Sequence, residues 1–367
     1  MRAIARRHTL AIALVCAILG SCAGERPENT PAANPVESRA VIDRALPSGI
    51  ADRSGWIEDI RAAFVALKIT QSRENVCAVI AVTEQESGFH IDPVIPDLGP
   101  IAWREIDKRA AHAGVPTSIV HSVLELDSPN GRSYRDRIDH ARTEKELSDI
   151  FEDFTGSVPL GRTLFASWNP IRTRGPMQVN VAFAERFAQS TSYPYPVKES
   201  IADELFTRRG SLYFGTAHLL AYAAPYDRYL FRFADFNAGQ YSSRNAAFQI
   251  AVRSASGKPL VADGALLAHD GEVKAGSTEL AVRALGQRLN LSDGAIHQAL
   301  EQGRSKDFER SSVYASVFEL ADRRAGRPLA RAAIPQIKLQ GPKITRELTT
   351  DWYARRVAQR FERCLNR

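Results

Sequence analysis

Residues 77–89 read Cys77-Ala-Val-Ile-Ala-Val-Thr-Glu-Gln-Glu-Ser-Gly-Phe89, an apolar run that ends in two carboxylates, a serine and a glycine. Ser72 offers an N-cap and Glu74 sits in the first turn, so a helix is expected from there through Val82, with Gly88 as its stop. The run is apolar nearly all round. A helix of that kind needs neighbours on every side, so it is expected at the centre of its domain. Glu86 falls in the last turn, where unsatisfied carbonyls present about half a negative charge, and Phe89 supplies apolar surface nearby. Both influences disfavour ionisation and suit a carboxylic acid that must stay protonated for glycoside cleavage. Glu84 lies two residues earlier, about 200° round the helix, and is expected to be a helix-face charge or a salt-bridge partner.

Outward from this segment the pattern stays helical. Trp56, Ile60, Ala63, Phe64 and Leu67 recur at three- and four-residue spacings. Further helices are expected over 103–113, 116–125 and 143–154, broken by Ser128-Pro-Asn-Gly131 and Gly156-Ser-Val-Pro159, and then over 181–188, 201–224 and 229–236. After Gly257 the texture changes, and 259–264 and 265–270 read as a short hairpin or an extended excursion. Helices return at 279–289, 293–303, 314–326 and 350–364. The fold class is therefore mainly α, and at 367 residues with 44% apolar content the chain can bury one large or two moderate cores.

The first 21 residues carry Arg2, Arg6 and Arg7, an apolar stretch from Thr9 to Leu19 and small residues at the end, the layout of a secretory signal too short to span a bilayer. Leu19-Gly20-Ser21-Cys22 resembles the lipobox of bacterial lipoprotein precursors, which implies acylation of Cys22, and Ala23 after it points to the outer membrane. Residues 22–45, rich in Pro, Ala and polar groups, read as a tether. Losing the three signal arginines takes the formal charge from +6 to +3, and the remaining Lys and Arg are scattered, so no nucleic-acid partner is indicated. Cys77 and Cys364 remain; in an oxidising envelope they either pair or stay as two buried thiols.

Three separated stretches carry chemistry: Glu84-Gln-Glu-Ser-Gly-Phe89, Arg174-Gly-Pro-Met-Gln-Val-Asn180 and Ala234-Asp-Phe-Asn-Ala-Gly239, with Gly215 to Tyr222 between the last two. Their order and wording resemble the motifs of lytic transglycosylases with a lysozyme-like (goose-type) domain: Glu-Ser, then Gly-Leu-Met-Gln, then a Gly-x-x-Tyr-Leu helix, then Ala-Tyr-Asn-Ala-Gly. The resemblance covers roughly residues 55 to 250. It implies a helical lysozyme-like catalytic domain over 46–255 and peptidoglycan glycan strands as the partner. It assigns Glu86 as the single acid and base, and Ser87, Met177, Gln178, Phe236 and Asn237 as residues that line the substrate site or hold the acid. Residues 92–172 then look like a helical insertion, and 256–367 like a mostly helical C-terminal extension packed on the catalytic domain. One departure bears on mechanism: Phe236 stands where the family has a tyrosine whose hydroxyl contacts the catalytic carboxylate.

A hydrolytic muramidase with the same Glu86, or a peptidoglycan-binding lipoprotein without turnover, are the alternatives. For hydrolysis, Asp92, Asp97 and Asp235 are the carboxylates that could activate water. The histidines outside the signal form no His-Glu-x-x-His pattern, two distant cysteines make no zinc site, and neither a Gly-x-Ser-x-Gly elbow nor a phosphate-binding glycine loop occurs. No metal and no cofactor is implied.

Overall fold

The computed structural model describes residues 35–157, 169–268, 275–341, 344 and 346–367. The expected signal and Cys22 lie outside the described residues, as do residues 269 and 270 of the expected excursion. The chain runs through α1 (Pro35–Ala45), α2 (Arg53–Ala66), α3 (Arg73–Glu86), α4 (Leu98–His112), α5 (Thr117–Leu124), α6 (Tyr134–Asp139) and α7 (Glu144–Ser157). A two-stranded hairpin follows, β1 (Thr173–Arg174) antiparallel to β2 (Val179–Asn180), with Thr173 opposite Asn180. Then come α8 (Val181–Ser190), α9 (Ile201–Glu204), α10 (Arg208–Leu220), α11 (Tyr229–Ala238) and α12 (Ser242–Ser256). After α13 (Ser277–Arg283), α14 (Gly286–Leu289), α15 (Asp293–Glu301) and α16 (Ser312–Ala325), a second hairpin pairs β3 (Lys338–Leu339) with β4 (Leu348–Thr349) and leads into α17 (Thr350–Leu365). The protein is mainly helical, as its apolar periodicity demands.

Helix α3 is the hub. Ser72 caps it by accepting from the Asn75 amide, and every residue from Val76 to Thr83 is buried. Its cover comes from α1, α2, α10 and α11, and from α17 at the far end of the sequence; Ile42, Trp56, Phe64, Phe214, Phe233, Tyr353, Val357 and Phe361 join Val76–Val82 in one continuous core. Residues 98–154 gather a separate small core around Leu98, Tyr134, Ile138, Leu147 and Ile150. A third core, around Phe248, Val282, Ile296, Phe308 and Phe318, unites α12 with α13 to α16. The last helix is thus part of the same core as the Glu86 helix, and the segment between them in the extension forms a body of its own.

Several expectations need correcting. The stretch expected as tether is helical from Pro35, because Ile42, Ala45 and Leu46 fall on one face and bury completely or nearly so against the hub. The single helix expected over 201–224 is two, broken at Leu205–Thr207, where Thr207 recaps the chain by accepting from the Gly210 amide. The break lets the Leu205 carbonyl press on Gly175, where a Cβ would lie 1.8 Å from that oxygen, so only glycine fits the turn of the first hairpin. The expected helix 279–289 likewise divides between α13 and α14. Residues 259–268 form an extended excursion with no strand, pinned by Gln249, which accepts from the Gly264 amide and donates to Asp263 and the Ala265 carbonyl. Among the described residues no helix is long and apolar enough to cross a membrane.

Candidate active site

Glu86 is the final residue of α3, half-buried, and one of its carboxylate oxygens accepts a hydrogen bond from the Tyr353 hydroxyl. Helices α3 and α17 run antiparallel. A disulfide joins Cys77 to Cys364 near one end of the pair, with Cα atoms 5.5 Å apart, and the Glu86–Tyr353 contact closes the other. Between them Glu84 meets three arginines of the C-terminal segment: Arg363 at 3.0 Å, Arg367 at 3.4 Å and Arg360 at 3.7 Å. Arg73 adds a hydrogen bond to the Leu365 carbonyl at 3.0 Å. Glu84 is therefore a salt-bridge residue, and α17 is fixed along its whole length.

The tyrosine sits in apolar surroundings. Burial, reinforced by the charge of Glu86, pushes the Tyr353 phenol well above its usual range, so it stays protonated and keeps donating throughout the neutral range. At position 236, where the sequence lacks a hydroxyl, the phenylalanine ring packs on His218 with centroids 5.0 Å apart and belongs to the main core. His218 is itself covered by Phe183 at 4.4 Å, and burial, aided by the charge of Arg186, lowers its pKa to about 4. It is a neutral core ring at physiological pH.

The remaining motif residues are held as follows. The Ser87 hydroxyl donates to the Thr83 carbonyl, closing the helix end. Asn237 accepts from Thr350 at 2.7 Å, so α11 is tied to the first residue of α17. Gln178 sits in the turn of the first hairpin with φ 49°; its side chain accepts from Thr173 at 2.8 Å and donates to Glu144 at 2.9 Å. Arg174, almost fully buried over the Phe206 ring, bridges Glu152 at 3.2 Å and Asp203 at 3.3 Å. Helix α7 thus supplies carboxylates to the 174–180 segment. Met177 does not line an open site: it is fully buried, its amide donates to Ser211, and a Cβ on Gly215 would come within 2.4 Å of its sulfur. Its role is to lock the hairpin onto α10.

Of the three aspartates considered for activating water, Asp235 is completely buried. It accepts from Tyr222 at 3.0 Å, Tyr226 at 2.7 Å and the amides of Tyr241 and Ser243 at 3.0 and 2.6 Å. Burial raises its pKa and these donors oppose the rise; it anchors the start of α12 and has no room for water. Asp97 precedes α4 with a left-handed φ of 57° and makes no capping bond. Asp92, in the loop after Phe89, has its pKa raised by partial desolvation of the carboxyl, an effect a hydrogen bond from Thr143 offsets in part. A cavity of about 260 Å³ lined by Tyr226, Phe231, Arg244 and Tyr314 includes none of the motif residues. Among the described residues no three His, Cys, Asp or Glu side chains converge as a metal site.

Sequence reasoning thus missed Tyr353, Thr350 and Glu144. All three come from segments outside the motifs, and no local pattern marks a tyrosine 267 residues from the carboxylate it contacts.

Comparison with known proteins places these residues in context. A family described as Protein of unknown function (DUF1615) matches residues 49–367. The chain belongs to that family. The DUF1615 match runs to the last residue, so it takes in both members of the Glu86–Tyr353 pair and both disulfide cysteines. The Uncharacterized protein YaiW of Escherichia coli (strain K12) is 45% identical over 353 residues, which cover 96% of this chain and 96% of that protein. No solved structure matches.

Proposed function

We propose that the protein is a peptidoglycan lytic transglycosylase with a lysozyme-like catalytic domain, in which Glu86 is the single acid and base. The observation that carries this reading is the hydrogen bond from the buried Tyr353 hydroxyl to Glu86. The three motifs suggest a catalytic carboxylate but leave it with Phe236 where a hydroxyl is expected, and α17 brings one to it from elsewhere. Glu86 protonates the oxygen linking N-acetylmuramic acid to N-acetylglucosamine. As carboxylate it then takes the proton from the muramyl C6 hydroxyl while that oxygen attacks C1. The bond to the leaving sugar breaks, the new C1–O6 bond forms, and a 1,6-anhydromuramyl end results without consuming water. Tyr353 favours the ionised form of Glu86, the form that receives the second proton.

The envelope setting belongs to the same reading: cleavage at Cys22, acylation there, and attachment to the periplasmic face of the outer membrane. The test is digestion of purified cell walls by wild type and Glu86→Gln, followed by mass spectrometry of the released fragments. The expected result is anhydro ends from wild type and none from the variant. Fragments heavier by one water would instead identify a muramidase, equal activity in both proteins would remove Glu86 from the mechanism, and binding without release by wild type would mark a non-catalytic peptidoglycan-binding protein.

A further inference from the structure

The cavity of about 260 Å³ is lined from two parts of the chain: Tyr226, Asp227 and Phe231 at the start of α11 and in the loop before it, and Glu309, Tyr314 and residues 330–332 of the extension, together with Arg244 of α12. Its volume suits one small ligand or one end of a larger one. Which ligand follows from the hydrogen bonds already made around it. Arg244 spends its guanidinium on the Asn245 side chain and on the carbonyls of Gly303 at 2.6 Å and Ser305 at 2.7 Å, and lies over the rings of Tyr241 and Phe308. Arg331 is bonded to both carboxylate oxygens of Asp322, at 2.8 and 3.3 Å, and lies over Phe318. The Tyr226 hydroxyl donates to Asp235 at 2.7 Å.

The acceptors of the lining are less engaged. Glu309 has Arg244 at 3.6 Å, beyond hydrogen-bond distance. Asp227 is exposed, and its carboxylate makes no hydrogen bond or ion pair among the described residues. The Tyr314 hydroxyl makes no hydrogen bond among the described residues either, and burial, reinforced by the Glu309 charge, pushes the phenol up to about 12, so it stays a neutral hydroxyl. With Glu309 set against Arg244 and Asp322 against Arg331, Asp227 is the charge left over.

We propose that this cavity binds a small organic ammonium, free or at the end of a larger molecule, through Asp227, Glu309 and Tyr314, with its carbon chain against Tyr226 and Phe231. An ammonium brings three donors and no acceptor, which matches the groups left over. The rings of Tyr226 and Phe231, with centroids 5.7 Å apart, give apolar cover to the methylenes and attract a cation through their faces. A ligand carboxylate would meet acceptors where it needs donors. None of the motif residues around Glu86 lines the cavity, so this site stands whether or not the chain cleaves glycan.

The test varies charge on one carbon framework. The full chain at pH 7 is titrated with n-butylammonium, n-butanol and butyrate at equal ionic strength, and with N-acetylglucosamine, and binding is followed by ligand-observed NMR. Saturable binding of the ammonium alone is expected. An exposed ion pair is worth up to about fivefold in affinity. Asp227→Asn is expected to weaken ammonium binding by up to about that factor, and Tyr314→Phe, which removes only the hydroxyl, to weaken it as well. Glu362→Gln, an exposed carboxylate outside the lining, should leave it unchanged. Absence of ammonium binding, equal binding of butanol or butyrate, or ammonium binding that survives both Asp227→Asn and Tyr314→Phe overturns the proposal. Binding of N-acetylglucosamine in place of the amine would make the cavity a sugar site and overturn it too.

Discussion

The contact between Tyr353 and Glu86 gives a prediction with a sign and a size. Tyr353→Phe removes one hydroxyl from a buried ring and leaves its packing in place. A hydrogen bond to a charged group contributes about 1.5–3 kcal/mol. Glu86 is only half-buried, so water can partly replace the phenol and the lower end of that range applies, about 1.5 kcal/mol. The phenol donates to the carboxylate, so its removal withdraws that stabilisation from the ionised form of Glu86 and favours the protonated one. A general acid is active while protonated. Under the proposed function the descending alkaline limb of wall lysis is therefore expected to move to higher pH in the variant, with KM nearly unchanged. The same contact contributes stability above the carboxylate range, so the melting temperature falls by a few degrees at neutral pH, and the difference from wild type closes as pH is lowered until Glu86 is protonated in both. Turbidity loss of purified walls between pH 4 and 9, with thermal melts over the same range, measures both. A pH profile that superimposes on wild type, in a variant that is folded and active, would refute the coupling. Phe236→Tyr in the Tyr353→Phe background asks in addition whether a hydroxyl from α11 can take over.

Three other outcomes follow from the same framework. Cys364→Ser removes a bridge spanning 287 residues and is expected to destabilise by about 5–6 kcal/mol in the chain-entropy account, read as a urea midpoint below that of the oxidised wild type, with no further change on adding reductant to the variant. Glu84→Gln leaves Arg360, Arg363 and Arg367 without their shared carboxylate, which should cost about 1 kcal/mol in a thermal melt while wall lysis at 25 °C persists, in contrast to Glu86→Gln. His218 has a folded pKa near 4, below its unfolded value, so the unfolded chain binds the extra proton between about pH 6.5 and 4. Stability should fall by about 3 kcal/mol as pH drops through that window, and His218→Phe should flatten the slope in urea titrations at a series of pH values.

How much of this was legible in the sequence differs from element to element. The helix from Ser72 to Glu86 could be read from its cap, its all-round apolarity and its glycine stop, because each of those signals acts within a few residues of itself. The separation of Glu84 from Glu86 also followed from helical periodicity alone, and the three arginines around Glu84 give the charge expected there its partners. Helix breaks were harder. The interruption at Leu205–Thr207 exists because a carbonyl must meet Gly175 across the fold, and nothing within the segment states that requirement. Met177 carries the right motif and still points into the core, since the fate of a side chain next to a turn depends on what packs over it.

The sequence by itself determined a mainly helical chain, a buried hub helix and a single carboxylate worth testing, because helix periodicity, capping and the potential at a helix end are local properties. Only the tertiary structure decided that Phe236 is a core ring against His218, that the second motif is held by α7 through Glu144 and Glu152, and that the hydroxyl at Glu86 comes from Tyr353. Those contacts join residues up to 267 positions apart. They arise because α3 must bury every face, and the last face left to cover is taken by α17, whose apolar side brings the tyrosine with it.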